Sequence, residues 1–191
     1  MLGEAARTAE DAERYTVRYE EAAHAIAAWA GHPEARSDEE LIARPGLSVK
    51  LSALHPRYQP SQHARLESEL LPRLSDLALA MREAWLPLTV DAEEADRLDL
   101  SLALTERLFA DPKLSGWNGI GLAVQAYSKR ALPLIDWLAG VAAAMGRRGD
   151  RFRILTGPDA HGTVAGEDLR PTAILLAEHA AVARALASRP A

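Results

Sequence analysis

Two short apolar runs joined by a long helical pattern constrain the fold of this chain more than any other feature. Residues 47–52 form the first run and residues 86–90 the second, and leucines recur at helical spacing between them, from residue 61 to about residue 83. A strand, a helix and a second strand within about 45 residues form a right-handed βαβ unit, whose strands lie parallel and adjacent. The sequence therefore predicts an α/β fold built around this unit.

A single polar residue lies at or near the end of each predicted strand. Lys50 lies in the first, Asp91 follows the second directly, and Gln125 ends a third apolar run at residues 119–125. Because functional groups in parallel α/β folds collect at the carboxyl ends of strands, we expect a cation, a carboxylate and an amide on one rim. Each residue also has a plainer interpretation: a strand lysine that reaches solvent, an aspartate that caps the next helix, and an isolated glutamine.

The rest of the chain repeats the alternation of helices and strands. A capping box of Thr8 and Asp11 predicts a first helix at residues 9–30, and residues 32–45 are a surface connection or a short extra helix. The acidic pair Glu93 and Glu94 suits the amino end of the helix that follows Asp91. Further elements are predicted as helices at residues 131–145 and 171–188 and as a short strand at residues 151–155.

Composition and spacing exclude several classes of function. The 22 basic and 27 acidic residues give a net charge of -5 without a strongly basic stretch, so we expect no nucleic-acid binding. There is no cysteine, and the six histidines lack metal-ligand spacing, so we expect solvated or capping histidines and no metal site. No apolar run approaches the roughly 20 residues that span a bilayer, and the start lacks a signal-peptide layout, which predicts a cytoplasmic protein.

Three motifs and the opening residues resemble one enzyme family. Residues 46–58 read GLSVKLSALHPRY, residues 90–98 read VDAEEADRL, residues 116–130 read GWNGIGLAVQAYSKR, and the chain opens with MLGEAA. In wording and spacing these resemble the proline dehydrogenase domain of bacterial bifunctional proline utilisation proteins. The resemblance covers roughly residues 1 to 148, which we predict to form the N-terminal part of such a domain.

The resemblance implies a distorted (β/α)8 barrel that binds FAD, oxidises L-proline to 1-pyrroline-5-carboxylate and passes electrons to membrane quinones. By matching motif, Lys50 would hold the proline carboxylate and Asp91 would orient the polar network of the substrate pocket. Gln125 would contact the isoalloxazine ring, and Val90 would approach the flavin through its backbone. Quinone reduction would place the protein peripherally at the inner membrane.

The resemblance stops after Arg148. Where the family continues with a motif reading RLVKGAYW, residues 149–158 read GDRFRILTGP. We therefore expect residues 149–191 to be a divergent tail with a short strand and a helix at most, whose composition suits translation of a GC-rich gene in a shifted frame. A (β/α)8 barrel takes about 250 residues, so we predict a partial barrel with about half of the βα units. Its open edge favours homo-oligomers, and its dehydrogenase activity should be impaired or lost.

Two other functions stay open at the level of sequence. In a Schiff-base lyase, a desolvated Lys50 would attack a carbonyl while Asp91 acted as acid or base. Alternatively, the chain would be a non-catalytic half-barrel. Trapping of a carbonyl substrate on the lysine would indicate the first, and a defined dimer in light scattering the second.

Overall fold

The structure is a computed structural model that describes residues 2–125, 128–144, 153–155 and 174–176. It divides into two compact units, Met1–Ile120 and Gly121–Ala191. The first unit carries the βαβ core and most of the predicted site. The described part of the second unit is one helix and a pair of short strands, preceded by the residues that complete the third strand of the sheet.

Helix α1, Ala9–Ala30, has the bounds that the sequence predicts. The Thr8 hydroxyl accepts a hydrogen bond from the Asp11 amide, and the Asp11 carboxylate accepts one from the Thr8 amide, which completes the capping box. The helix ends at Gly31, whose φ of 63° lies in the left-handed region that glycine adopts without steric cost. A short helix, α2, follows at Asp38–Ala43, so the connection after α1 is partly helical.

The βαβ unit forms as predicted, with shorter strands. Strand β1, Leu47–Val49, pairs in parallel with strand β2, Leu88–Val90, and Ser48 lies opposite Thr89. The prediction that the first strand extends to residue 52 is wrong, because the chain turns at Lys50 into a one-turn helix, α3, Leu51–Leu54. The second strand also begins two residues later than predicted, after Pro87, whose ring nitrogen cannot donate to the ladder.

The crossover helix α4, His63–Glu83, follows a short 3-10 turn at Pro60–Gln62 and packs against helices α1 and α3. Its buried side chains recur every three or four residues and form the centre of the core with the aliphatic residues of the strands. Pro72 lies inside this helix, where it removes one backbone hydrogen bond. The buried residues of the helix are Leu66, Leu70, Leu74, Leu77, Ala78 and Met81.

The segment after β2 starts its helix later than the sequence predicts. Glu93 and Glu94 precede a 3-10 turn, Ala95–Arg97, and helix α5, Leu98–Phe109, begins only after this turn. Strand β3, Ile120–Leu122, then follows in the sheet order β1-β2-β3, and the Leu88 amide donates to the Gly119 carbonyl at 2.8 Å. The predicted third strand of seven residues is therefore reduced to three.

In the second unit, helix α6, Ala131–Ala144, agrees with the helix predicted at residues 131–145. Residue 145 itself lies outside the described residues. Strands β4, Arg153–Leu155, and β5, Ile174–Leu176, pair in parallel. The first agrees with the predicted short strand. The second contradicts the predicted last helix at residues 171–188, since residues 174–176 are extended, and the remainder of that range lies outside the described residues.

Taken element by element, the fold is α/β with a small parallel sheet, as the sequence predicts. Within the described residues, no helix is long and apolar enough to cross a bilayer.

Candidate active site

The two faces of the β1–β2 pair differ in polarity. Leu47 and Val49 of β1 are buried, whereas Ser48 between them is exposed. Ser48 and Thr89 are paired and lie on the same face of the sheet. Because side chains alternate along a strand, Lys50 lies on the same face as Ser48, and Asp91 lies on the same face as Thr89. The strand ends therefore carry both charged residues to the same polar side of the sheet.

The Lys50 ammonium and the Asp91 carboxylate form an ion pair there. The Lys50 Nζ lies 2.8 Å from Asp91 Oδ2, and the two side chains are 22% and 27% exposed. Asp91 Oδ1 accepts a hydrogen bond from the Ala92 amide at 2.9 Å, and the Asp91 amide donates to the Val49 carbonyl at 2.9 Å. The aspartate is thus fixed at both its backbone and its side chain, and it does not cap helix α5, which begins seven residues later.

The surroundings keep the lysine protonated. The hydrogen bond to Asp91 raises the pKa of Lys50 above its usual value, against a smaller opposing effect of burial. The carboxylates of Glu4 and Glu93 act in the same direction at longer range. A charged ammonium at a strand end can bind an anionic group of a ligand, while its partner carboxylate fixes its direction.

Glu93 connects the two strand ends through a contact that sequence reasoning missed. Its Oε1 accepts a hydrogen bond from the Ser52 amide at 3.0 Å, in the first turn of α3. Lys50 is the N-cap residue of α3, but its side chain forms no capping hydrogen bond with that helix. The sequence predicts that Glu93 and Glu94 lie at the amino end of the following helix. In the structure Glu93 instead accepts from Ser52, which lies 41 residues earlier in the chain.

The two predicted cofactor residues lie at different distances from their strands. Val90 is the last residue of β2 and is fully buried. Gln125 lies three residues after the end of β3, so it is less closely equivalent to Lys50 and Asp91 than the sequence predicts. It is half-buried, and its carbonyl accepts a hydrogen bond from the Ser128 amide at 3.0 Å.

His55 is the C-cap residue of α3, which agrees with the capping alternative predicted for the histidines, and it is not solvated. It is buried, its Nδ1 accepts from the Arg57 amide at 3.0 Å, and its Nε2 therefore carries the proton that it donates to Glu69 at 3.1 Å. Hydrogen bonds from Arg65 and then from His55 lower the pKa of Glu69 to about 2. The histidine thus holds the end of α3 against α4. Across the described ranges, no group of three potential ligands is placed to bind a metal ion.

Residues 1–154 match the family of proline dehydrogenases. The chain is 49% identical over 148 residues to the bifunctional protein PutA of Salmonella typhimurium and 52% identical over 141 residues to that of Rhizobium meliloti. These matches cover 78% and 74% of this chain, but each spans only 11% of the length of the curated relative.

Solved structures agree with the sequence comparison. A crystal structure of a variant of proline utilization A (PutA) from Bradyrhizobium japonicum superposes with a TM-score of 0.70 at 50% identity. The superposition covers 76% of this chain and 14% of that one. Since the family match extends over most of the residues, the chain belongs to the proline dehydrogenase family.

Proposed function

We propose that this chain supplies part of the active site of an FAD-dependent enzyme that oxidises L-proline to 1-pyrroline-5-carboxylate. The observation that carries the proposal is the ion pair of Lys50 and Asp91 at adjacent strand ends, in a chain of the proline dehydrogenase family. The family supports the reaction, and the pair supports the place where the substrate would bind.

The two charged residues have separate roles in this proposal. The Lys50 ammonium binds the proline carboxylate, and Asp91 holds that ammonium at 2.8 Å so that the ring of the substrate has one orientation. Oxidation removes a hydride from C5 of proline and the proton from its nitrogen. FAD would accept the hydride when bound, and the proton would leave to solvent, so these side chains bind and orient the substrate and take part in neither transfer.

The residues proposed to hold the flavin have suitable chemistry. The Gln125 amide has both a donor and an acceptor, which matches the alternating donors and acceptors on the edge of an isoalloxazine ring. Val90 is apolar, fully buried and directly precedes Asp91, so a ring beside its backbone would lie next to the substrate residues along the chain. We therefore propose Gln125 and Val90 as the FAD contacts of this segment.

The alternative of a Schiff-base lyase is not supported. A lysine that attacks a carbonyl must lose its proton, and a nucleophilic lysine needs a lowered pKa. Here the Asp91 carboxylate raises the pKa of Lys50, which favours the charged form.

The chain has 191 residues, fewer than a complete (β/α)8 barrel requires. We propose that β1, β2 and β3 belong to a partial (β/α)8 barrel, because a complete barrel takes about 250 residues. Residues from another chain, or from a longer protein, would then complete the pocket, and the open sheet edge would be a contact between subunits. Transfer of electrons to a quinone at the inner membrane is part of the same proposal and would follow from the complete enzyme. A chain left without those residues would have impaired activity.

The test is the visible spectrum of the purified chain after incubation with FAD, recorded before and after L-proline is added without oxygen. Retained flavin that bleaches with proline is the expected result for a working site. Lys50→Met, which keeps the unbranched stem of the side chain and removes its charged nitrogen, should retain flavin equally but require far more proline. If no flavin stays bound, the segment does not bind FAD alone. If flavin binds and proline never bleaches it, even at high concentration, the proposed reaction is wrong for this chain.

A further inference from the structure

The backbone amide of Lys50 is hydrogen-bonded to a tyrosine that lies far from it in the sequence. Strand β1 ends at Val49, and the backbone of Lys50 then turns toward α3 with φ −89° and ψ 123°. At this turn the Lys50 amide donates to the hydroxyl of Tyr19 on helix α1 at 3.2 Å. The peptide that carries the Lys50 side chain is therefore hydrogen-bonded to helix α1.

The Tyr19 hydroxyl has a second partner that fixes its direction. The Gly3 carbonyl lies 3.3 Å away and can only accept, so the hydroxyl donates its one proton there and accepts from Lys50. The ring is 2% exposed, and burial raises the pKa of this hydroxyl, which keeps it neutral. Both hydrogen bonds of the hydroxyl are thus assigned.

The segment at Gly3 is attached to the same turn by further bonds. The amides of Ala5 and Ala6 donate to the hydroxyl and the carbonyl of Ser52, at 3.1 and 2.9 Å. Ala5 has a φ of 47°, a conformation that costs energy for a residue with a side chain. A side chain at position 3 would overlap the ring of Tyr15, so only glycine fits beneath that ring.

We propose that Tyr19 is a positioning residue for Lys50: its hydroxyl sets the peptide plane from which the ammonium reaches Asp91. Within the described residues the hydroxyl forms its hydrogen bonds with backbone atoms of Lys50 and Gly3, so its effect on a ligand passes through the lysine. The inference rests on the proposed function only for its kinetic consequence. Its structural consequence, the geometry of the ion pair, can be measured in the absence of substrate.

The experiment compares Tyr19→Phe with Tyr15→Phe. Phenylalanine keeps the buried ring at position 19 and removes both hydrogen bonds. Tyr15 lies one turn earlier on α1, and its ring packs beside Gly3, so the second variant makes the same chemical change without touching the Lys50 amide. The sequence has three lysines, Lys50, Lys113 and Lys129, so a chain labelled with carbon-13 at the lysine Cε gives three signals to titrate by NMR.

In Tyr19→Phe the pKa of Lys50 should fall toward the ordinary lysine value, because the ammonium no longer meets Asp91 in one fixed geometry, and Tyr15→Phe should titrate as the unsubstituted chain does. Where proline oxidation is measurable, the KM for L-proline should rise about three- to tenfold in Tyr19→Phe, with a smaller change in kcat.

Three results separate the possibilities. A Lys50 titration in Tyr19→Phe that coincides with that of the unsubstituted chain overturns the inference. A lowered Lys50 pKa in Tyr19→Phe, together with an unsubstituted chain that binds FAD but is never bleached by proline, supports the inference and rejects the proposed function. If Tyr19→Phe does not fold, hydrogen exchange of the unsubstituted chain decides instead: the Lys50 amide should be protected, and fast exchange contradicts the bond to Tyr19.

Discussion

At the scale of single residues, contacts from distant parts of the chain support the charged groups of the site: Tyr19 accepts from the Lys50 amide, and Glu93 accepts from the Ser52 amide. Lys50 and Asp91 could be selected because each is the polar end of an apolar run, and the structure brings their charged atoms to 2.8 Å. Tyr19 and Glu93 could not be assigned in this way, because their contacts reach 31 and 41 residues along the chain. Such contacts depend on how helices pack, which local patterns do not encode.

The buried histidine provides a prediction about pH. Glu69 accepts hydrogen bonds from Arg65 and His55 in the folded state, which lowers its pKa to about 2 from an ordinary value of 4.5. A carboxylate with a lowered pKa stabilises the folded state above its unfolded pKa and loses this effect as the pH falls through the folded value. Glu69→Gln should therefore be less stable than the unsubstituted chain at pH 7, and the difference should shrink below about pH 4.5 and vanish near pH 2.

Urea unfolding at a series of pH values measures this difference. Glu67 lies two residues earlier on α4 and pairs with Arg107, so Glu67→Gln is a matched control that leaves His55 untouched. A constant difference between Glu69→Gln and the unsubstituted chain from pH 7 to pH 2 would contradict the assigned ionisation.

At the scale of elements, the order of helices and strands could be predicted, but their ends could not. Helix α1 matches residue for residue because its capping box and its terminal glycine are local signals. Strand β1 is shorter than its apolar run, since Leu51 and Leu54 are buried on a helical turn and not on a strand. A continuous apolar run indicates burial, and it does not distinguish a strand from the turn of helix that follows it.

The approach of the two strands predicts the effect of one substitution. A Cβ at Gly46 would lie 2.9 Å from both the ring and the carbonyl oxygen of Pro87, just where the Leu47 amide donates to that carbonyl. Gly46→Ala should destabilise the first unit by about 1–3 kcal/mol, the usual cost of overpacking. Thermal or denaturant unfolding followed by circular dichroism gives the value.

Gly140→Ala is the control for this substitution. It lies inside helix α6 with open space around its Cβ position, so alanine should be neutral or stabilise that helix by about 0.5–1 kcal/mol. If Gly46→Ala proves as harmless as Gly140→Ala, the close approach at Pro87 is wrong.

At the scale of the whole molecule, the described three-stranded sheet has an open edge at β1. Within the described residues, β1 pairs with β2 alone, and its central residue Ser48 is exposed. Edge strands with free backbone groups pair with other chains, and a lysine placed on such a strand opposes this pairing. We therefore expect the chain to self-associate and Ser48→Lys to shift it toward the monomer.

Light scattering across a range of protein concentrations measures this shift. Ser61→Lys adds the same charge at an exposed position in the 3-10 turn before α4, and it should leave the association unchanged. Equal effects of the two lysines would mean that net charge, and not the strand edge, controls the association.

The distribution of the site along the chain also has a consequence for synthesis. Lys50 and Asp91 are 41 residues apart and belong to one continuous βαβ unit, with the crossover helix between them. A ribosome that adds 5–20 residues per second covers that interval in about 2–8 seconds. The ion pair can thus form on a nascent chain once the second strand has left the exit tunnel, because both of its residues belong to one continuous segment.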